Sequence, residues 1–185
     1  MKQEGGAEKI LNDICYTLKH EKECNQFVIS LTNNLHFADD LAKIGVDTIF
    51  IPFLNVLQLY RYVKRLNPVV VFTWMYHANL IGGVVSRLVG VKMIIWNIHH
   101  AYVNKDSLKF PTLIIAYISA FFSYVVPRKI YYCSKFGYER HLKIGYSKSK
   151  SLVVFNGYDS SLYTRRHPSI TNRLKSELGL NNSSF

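Results

Sequence analysis

Acidic side chains are scarce in this chain, cysteine is nearly absent, and no hydrophobic run is long enough to cross a membrane. Aspartate and glutamate total 12 against 23 lysines and arginines, a formal charge of 23 − 12 = +11. That excess implies an anionic partner: nucleic acid, an acidic membrane surface or a phosphorylated small molecule. The three cysteines (Cys15, Cys24, Cys133) are an odd number without metal-type spacing. This argues against a disulfide framework and for reduced thiols in a cytosolic protein. The first twenty residues are amphipathic rather than a basic segment followed by an apolar block, so no signal peptide is expected. No fixed-period repeat or low-complexity tract is present. What is abundant is apolar surface: 49% of 185 residues, enough for one domain with a sizeable core, or one domain and a stub of another.

The run between Pro111 and Pro127, TLIIAYISAFFSYVV, has 15 residues and no charge. A spanning helix takes about 20 apolar residues. Proline closes both ends, and Tyr117, Ser119, Ser123 and Tyr124 interrupt it. A helix that is buried or interfacial fits better, and Lys105, Lys109, Arg128 and Lys129 flank it as charges would near acidic lipid.

Hydrophobic periodicity sets the order of elements. Ala7, Ile10, Leu11, Ile14, Cys15 and Leu18 form the stripe of a helix from Gly6 to His20 with one buried face. Phe27–Leu31 reads as a strand, Phe37–Ile44 as a polar helix ended by Gly45, and Thr48–Ile51 as a second strand stopped by Pro52. Leu54–Leu66 is a helix closed by Asn67-Pro68. Val69–Trp74 is a strand apolar on both faces, and His77–Val89 a helix with Gly90 past its end. Lys92–Asn97 is a strand, Thr112–Val126 an apolar helix, and Lys129–Cys133 a strand. A helix over Lys135–Ile144 and a strand over Leu152–Phe155 complete the series. Strands apolar throughout, alternating with helices, predict an α/β fold with a parallel sheet covered on both sides. Ligands in such sheets bind beyond the carboxyl ends of the strands.

Several unusual residues fall at those ends. After Val69–Trp74, His77 and Asn79 sit near the start of a helix, where free N–H groups favour anions. Gly82-Gly83 then follows at a helix-propensity cost of about 1 kcal/mol per glycine, which points either to tight packing on the sheet or to a ligand. His99-His100 follow the next strand, placed to accept a proton, donate to a phosphate or bind metal. Metal is the weaker option, since no further ligand lies at suitable spacing. Ser134 after Tyr132-Cys133 is able to cap a helix or touch a ligand. Asn156-Gly157 is a turn-forming pair after the last strand.

Together these segments resemble one family. Gly5-Gly6-Ala7-Glu8 resembles the glycine-rich loop of family 4 glycosyltransferases, enzymes of the GT-B fold. WMYHANLIGG (Trp74–Gly83) and IIWNIHH (Ile94–His100) are similar to a subgroup serving bacterial surface polysaccharides or lipopolysaccharide. YYCSKFGYERHLKIGY (Tyr131–Tyr146), VVFNGYD (Val153–Asp159) and RLKSELGL (Arg173–Leu180) match later landmarks in the same order.

The resemblance implies a Rossmann-like domain, one half of a GT-B fold, over residues 1–155, and over 156–185 the crossing into a truncated donor domain. It implies a retaining transfer from a nucleotide-sugar to a saccharide or lipid-linked acceptor, with no metal or other cofactor required. Gly5 and Gly6 would lie near the donor phosphates, and His100, or else His99, would be the site histidine. His77, Asn79 and Ser134 would border the acceptor or cleft, and Asn156 and Gly157 would mark the interdomain crossing. Two features depart from the family. Its first strand, which lies inside the sheet, should precede Gly5 and is missing, and no two glutamates are separated by eight positions as the donor site requires. The expectation is therefore the acceptor half of an enzyme, inactive alone, cytoplasmic or peripheral on the cytoplasmic face of the inner membrane. The alternative is a non-catalytic acceptor-binding module that docks to a separate donor-domain subunit. A nucleic-acid binder is the weakest reading: Arg61, Lys64 and Arg65 lie on one helix opposite an apolar face, and no nucleic-acid motif is present.

Overall fold

The computed structural model describes residues 6–21, 24–33, 37–104 and 107–157, together with 173, 176, 177 and 179. The chain divides into two compact units, Met1–Phe155 and Asn156–Phe185. The first carries the α/β architecture.

Its elements alternate. They run α1 (Gly6–Glu21), β1 (Phe27–Ser30), α2 (Ala38–Lys43), β2 (Asp47–Phe50), α3 (Val56–Leu66) and β3 (Val70–Trp74). After β3 come α4 (Met75–His77), a π-helical turn (Ala78–Gly82) and α5 (Gly83–Val89). Then follow β4 (Met93–Ile98), α6 (Phe110–Phe122), β5 (Lys129–Tyr132), α7 (Lys135–Lys143) and β6 (Ser151–Val153). Every strand pairing is parallel, as the sequence predicts.

The strands form two ladders rather than one continuous sheet: β1-β2, and β3-β4-β5-β6. Each of β1 and β3 has one paired neighbour among the described residues. In the run Val69–Trp74, apolar on both faces, Val69 is exposed, and Val70 and Phe72 on one face of β3 are partly open, whereas Thr73 on the other is buried.

Elsewhere both faces are covered. Val28 of β1 packs with Cys15, Leu41 and Val46 from the α1–α2 side. Its neighbour Ile29 packs instead with the main core, where Leu59 and Val63 of α3 lie. Alternation along a strand sends successive side chains to opposite faces, so one strand serves two helix layers. In β4, the strand between two others, Ile94, Ile95, Trp96 and Ile98 are all buried. Burial also raises the pKa of the Cys15 thiol.

Element ends follow local chemistry. Asn55 caps α3, its side-chain oxygen accepting from the Gln58 N–H at 3.2 Å, and Asn67 closes it in the left-handed conformation (φ 44°). Helix α6 starts and ends earlier than the apolar run suggests. It spans Phe110–Phe122, with Pro111 in its first turn, where a missing N–H costs nothing. The helix expected over His77–Val89 is broken into three pieces by the π-helical turn.

Candidate functional site

Strands β3, β4 and β5 are adjacent and parallel, so the residues that follow them share one edge. His77 follows β3, His99 and His100 follow β4, and Ser134 follows β5. His77 meets Phe53, from the segment after β2, in an edge-to-face contact with ring centroids 6.1 Å apart. Helix α1 brings its start to the same edge. Lys19, near its end, lies beside Gly45 in the turn before β2, at the amino edge. Sixteen residues span about 24 Å, so Gly6 stands at the opposite end. Apart from its chain neighbours and its own helix backbone, no atom of the described residues comes within 4 Å of the position a Cβ would take on Gly6. Gly5 lies outside the described residues.

The turn out of β3 is sharp. Met75 takes a left-handed conformation (φ 69°), unusual for a residue with a side chain, at a cost of about 1–3 kcal/mol. It reverses the chain so that Tyr76 enters the core while His77 stays at the edge. Tyr76 is fully buried, and its ring stacks under His100 with centroids 5.6 Å apart and planes 8° from parallel.

Beneath Tyr76 lies His141 of α7, also fully buried. The Nδ1 of His141 is 2.7 Å from the carbonyl of Gly137, which only accepts, so Nδ1 carries the proton. Nε2 therefore accepts from the Tyr76 hydroxyl at 2.7 Å. Tyr132 and Tyr146 pack around the imidazole at 5.2 and 5.1 Å. Burial pushes the pKa of His141 down to about 4. It lifts those of Tyr76, Tyr132 and Tyr146 well above the ordinary phenol value. A further approach fixes His100 from behind. A Cβ on Gly137 would stand 3.3 Å from the His100 carbonyl and 3.1 Å from Ser134 Oγ, so the absence of a side chain lets α7 abut the loop.

Burial also lowers the pKa of His99, helped by the neighbouring charge of His100, and burial lowers that of His100. Both imidazoles are half-buried, and the shift favours the neutral form of each. Each then offers one N–H donor and one acceptor nitrogen, which suits proton transfer with a hydroxyl better than a permanent cationic clamp.

Two of the expected cleft residues also hold the structure together. Asn79 is wholly buried: its Oδ1 accepts from Thr73 Oγ1 at 2.6 Å, and its Nδ2 donates to the Asn97 carbonyl at 3.4 Å. Inside the π-helical turn it ties β3 to β4, and its side chain faces no cleft. Ser134 caps α7, its Oγ accepting from the Gly137 N–H at 3.0 Å. Gly83 likewise takes the packing reading: a Cβ there would lie 2.6 Å from Trp96 Nε1. Asn156 and Gly157 are irregular and belong to the second unit. Among the described residues no cluster of histidine, cysteine or carboxylate is arranged to hold a metal ion.

The Tyr76–His141 pair escaped the motif reading, which used Tyr131–Tyr146 only as a landmark. A signal was present, since Gly137, His141 and Ile144 fall at i, i+4 and i+7 and place the imidazole on the inward stripe.

No protein-family model matches the chain, and no curated protein does. Solved structures do. A crystal structure of Anabaena HepE in complex with UDP-glucose matches 97% of this chain with a TM-score of 0.73 at 16% identity. HepE with UDP and glucose gives 0.71 at 17%, and HepE with UDP 0.69 at 18%, each over 95% of this chain. The fold is shared; the sequence is not. This chain spans about half of HepE, 47–48% of its length. The expected Rossmann-like α/β fold, parallel strands flanked by helices, thus has a solved counterpart.

Proposed function

We propose that this chain supplies the acceptor-side half of a nucleotide-sugar-dependent glycosyltransferase. The supporting observation is the fold it shares with about half of HepE, a protein crystallised with UDP-glucose and with UDP and glucose. The edge geometry agrees with that reading. Neutral His99 and His100 stand where an acceptor hydroxyl would approach a donor held across the carboxyl edge, and His100 has the firmer seat on Tyr76. Its imidazole would orient the acceptor or hold a proton near the reacting oxygen, while Gly6, bare of side chain, would admit the donor phosphates together with Gly5. The donor itself would be gripped by a second domain beginning near Asn156 and Gly157. By resemblance the chemistry is of the retaining, family 4 kind, serving surface polysaccharide or lipopolysaccharide on the cytoplasmic side. The non-catalytic docking module finds no comparable support in the fold.

Sugar transfer from UDP-glucose and other nucleotide-sugars tests the reading, measured for this chain alone and for the chain joined to a GT-B donor domain. Transfer should occur only with the joined form and fall at least about tenfold in His100→Ala, the loss of one oriented proton-transfer group. Turnover by the chain alone, or full activity in both His99→Ala and His100→Ala, would overturn it.

A further inference from the structure

Beyond His100 the carboxyl edge carries two aromatic rings that remain open to water. Tyr102, in the loop after β4, meets Phe136, in the first turn of α7, edge to face with ring centroids 5.0 Å apart. The close approach at Gly137 brings them together. A Cβ there would lie 3.3 Å from the His100 carbonyl oxygen and 3.6 Å from the Ala101 Cα. Phe136 and Tyr102 are the adjoining residues of those two segments. A pair that served only to pin the loop to α7 would be covered by other side chains, yet Tyr102 is 53% exposed and Phe136 39%.

A cation completes the surface. The guanidinium of Arg140, one turn further along α7, lies over the Phe136 ring, 4.8 Å from its centroid. The negative face of the ring attracts the charge and takes few of its five N–H donors. Among the described residues the Arg140 side chain has no ion pair and no hydrogen bond. Glu139, beside it in sequence, is turned about 100° around the helix. Acidic side chains are scarce in this part of the chain, where residues 48–157 hold 14 basic and 2 acidic ones. Arg140 is thus exposed, held by a ring, and has donors to spare.

Open rings and a forked donor recognise different parts of one molecule. A sugar can lay its C–H face on an aromatic ring, whose own face is negative. A guanidinium matches a carboxylate or phosphate with two parallel N–H bonds, which a neutral hydroxyl does not reproduce. Given the sugar transfer proposed for this edge, we infer that Tyr102, Phe136 and Arg140 form an acceptor subsite beside His100, and that it takes a saccharide bearing an anionic group, carboxylate or phosphate. Tyr102, the more open ring, carries the sugar. Phe136 holds Arg140 in place, and Arg140 binds the anion.

Binding by the full chain, followed by NMR titration, tests this apart from transfer. The probes are methyl glucoside, methyl glucuronide, glucose phosphate and inorganic phosphate. At least one charged sugar should bind about tenfold or more tightly than methyl glucoside, and the tighter of the two tells carboxylate from phosphate. Arg140→Gln should abolish that preference and leave the weaker neutral binding. Tyr102→Ala should weaken all three sugars by roughly three- to tenfold. Both side chains are exposed, and an unchanged circular dichroism spectrum certifies the fold. Equal binding of neutral and charged sugars, no binding of either charged sugar, or an unaffected Arg140→Gln would overturn the subsite. So would inorganic phosphate binding as tightly as glucose phosphate, since the rings would then contribute nothing. Anion-selective sugar binding without transfer by the joined form would uphold the subsite and overturn the transferase reading. Transfer to neutral sugars with no preference for charged ones would do the reverse.

Discussion

The hydroxyl of Tyr76 donates to Nε2 of His141 across 2.7 Å, joining the turn after β3 to the middle of α7. Both side chains are cut off from water, and the ring of Tyr76 carries His100 on its opposite side. The edge histidine thus rests on a buried polar bond between two distant segments.

That bond makes stability depend on pH. His141 has an ordinary value of 6.5 and is pushed down to about 4 by burial, so the unfolded chain takes up the proton first. Stability from this group is full above pH 6.5 and is lost as pH falls toward 4, about 3 kcal/mol in all. Urea unfolding between about pH 6.5 and 5, above the carboxylate range, should show falling midpoints. His141→Gln should flatten the decline. A wild-type midpoint constant through that window would contradict the burial of a neutral imidazole.

Tyr76 has two separable roles. Tyr76→Phe removes the donor to His141 and leaves a buried acceptor unpaired, which should cost about 1–3 kcal/mol of stability. It keeps the ring under His100, so the imidazole titration of His100 in NMR spectra should stay below the ordinary 6.5. Tyr76→Leu removes the stacked ring, opens His100 to water and should raise its pKa toward 6.5. Equal movement of His100 in both variants would mean that the ring does not hold it.

The paired glycines should respond oppositely. In Gly83→Ala the new Cβ would meet Trp96 Nε1 at 2.6 Å and Val126 Cγ1 at 3.0 Å, neither of which can yield in the core. A loss of about 1–3 kcal/mol is expected. In Gly82→Ala the nearest atom is Thr73 Cγ2 at 3.6 Å, an ordinary contact. Better helix propensity should then leave stability unchanged or raise it by up to about 1 kcal/mol. Denaturation midpoints of the two variants decide the matter, and similar losses at both would refute it.

Sequence periodicity located the six strands found among the described residues to within about two residues, because apolar runs between turn residues leave little freedom in an α/β chain. The positions of His77, His99, His100 and Ser134 at one edge followed from parallel order alone. Three features were not legible. The left-handed turn at Met75 is imposed by Tyr76 seeking the core, a tertiary demand that no local preference of methionine announces. The π-helical turn gives Asn79 its two buried bonds, which depend on Thr73 and Asn97 in separate strands. The outward aromatics of α6 cannot be told from inward ones by composition, since the helix is apolar on every side. Ala116, Ser119 and Ala120 decide its orientation because small residues allow close approach to the sheet.

Among the described residues, two ladders present four strand edges where one six-stranded sheet would present two. Two of those edges, on β1 and β3, offer rows of backbone donors and acceptors of the same parallel sense, and on β3 they adjoin exposed Val70 and Phe72. Such rows are templates for any extended chain of matching length. The consequence is kinetic as much as structural: an edge left uncovered during folding is a seeding site for a neighbouring molecule. The concentration at which it stays monomeric will then be set by how quickly those sites are capped by a strand, whatever chain supplies it.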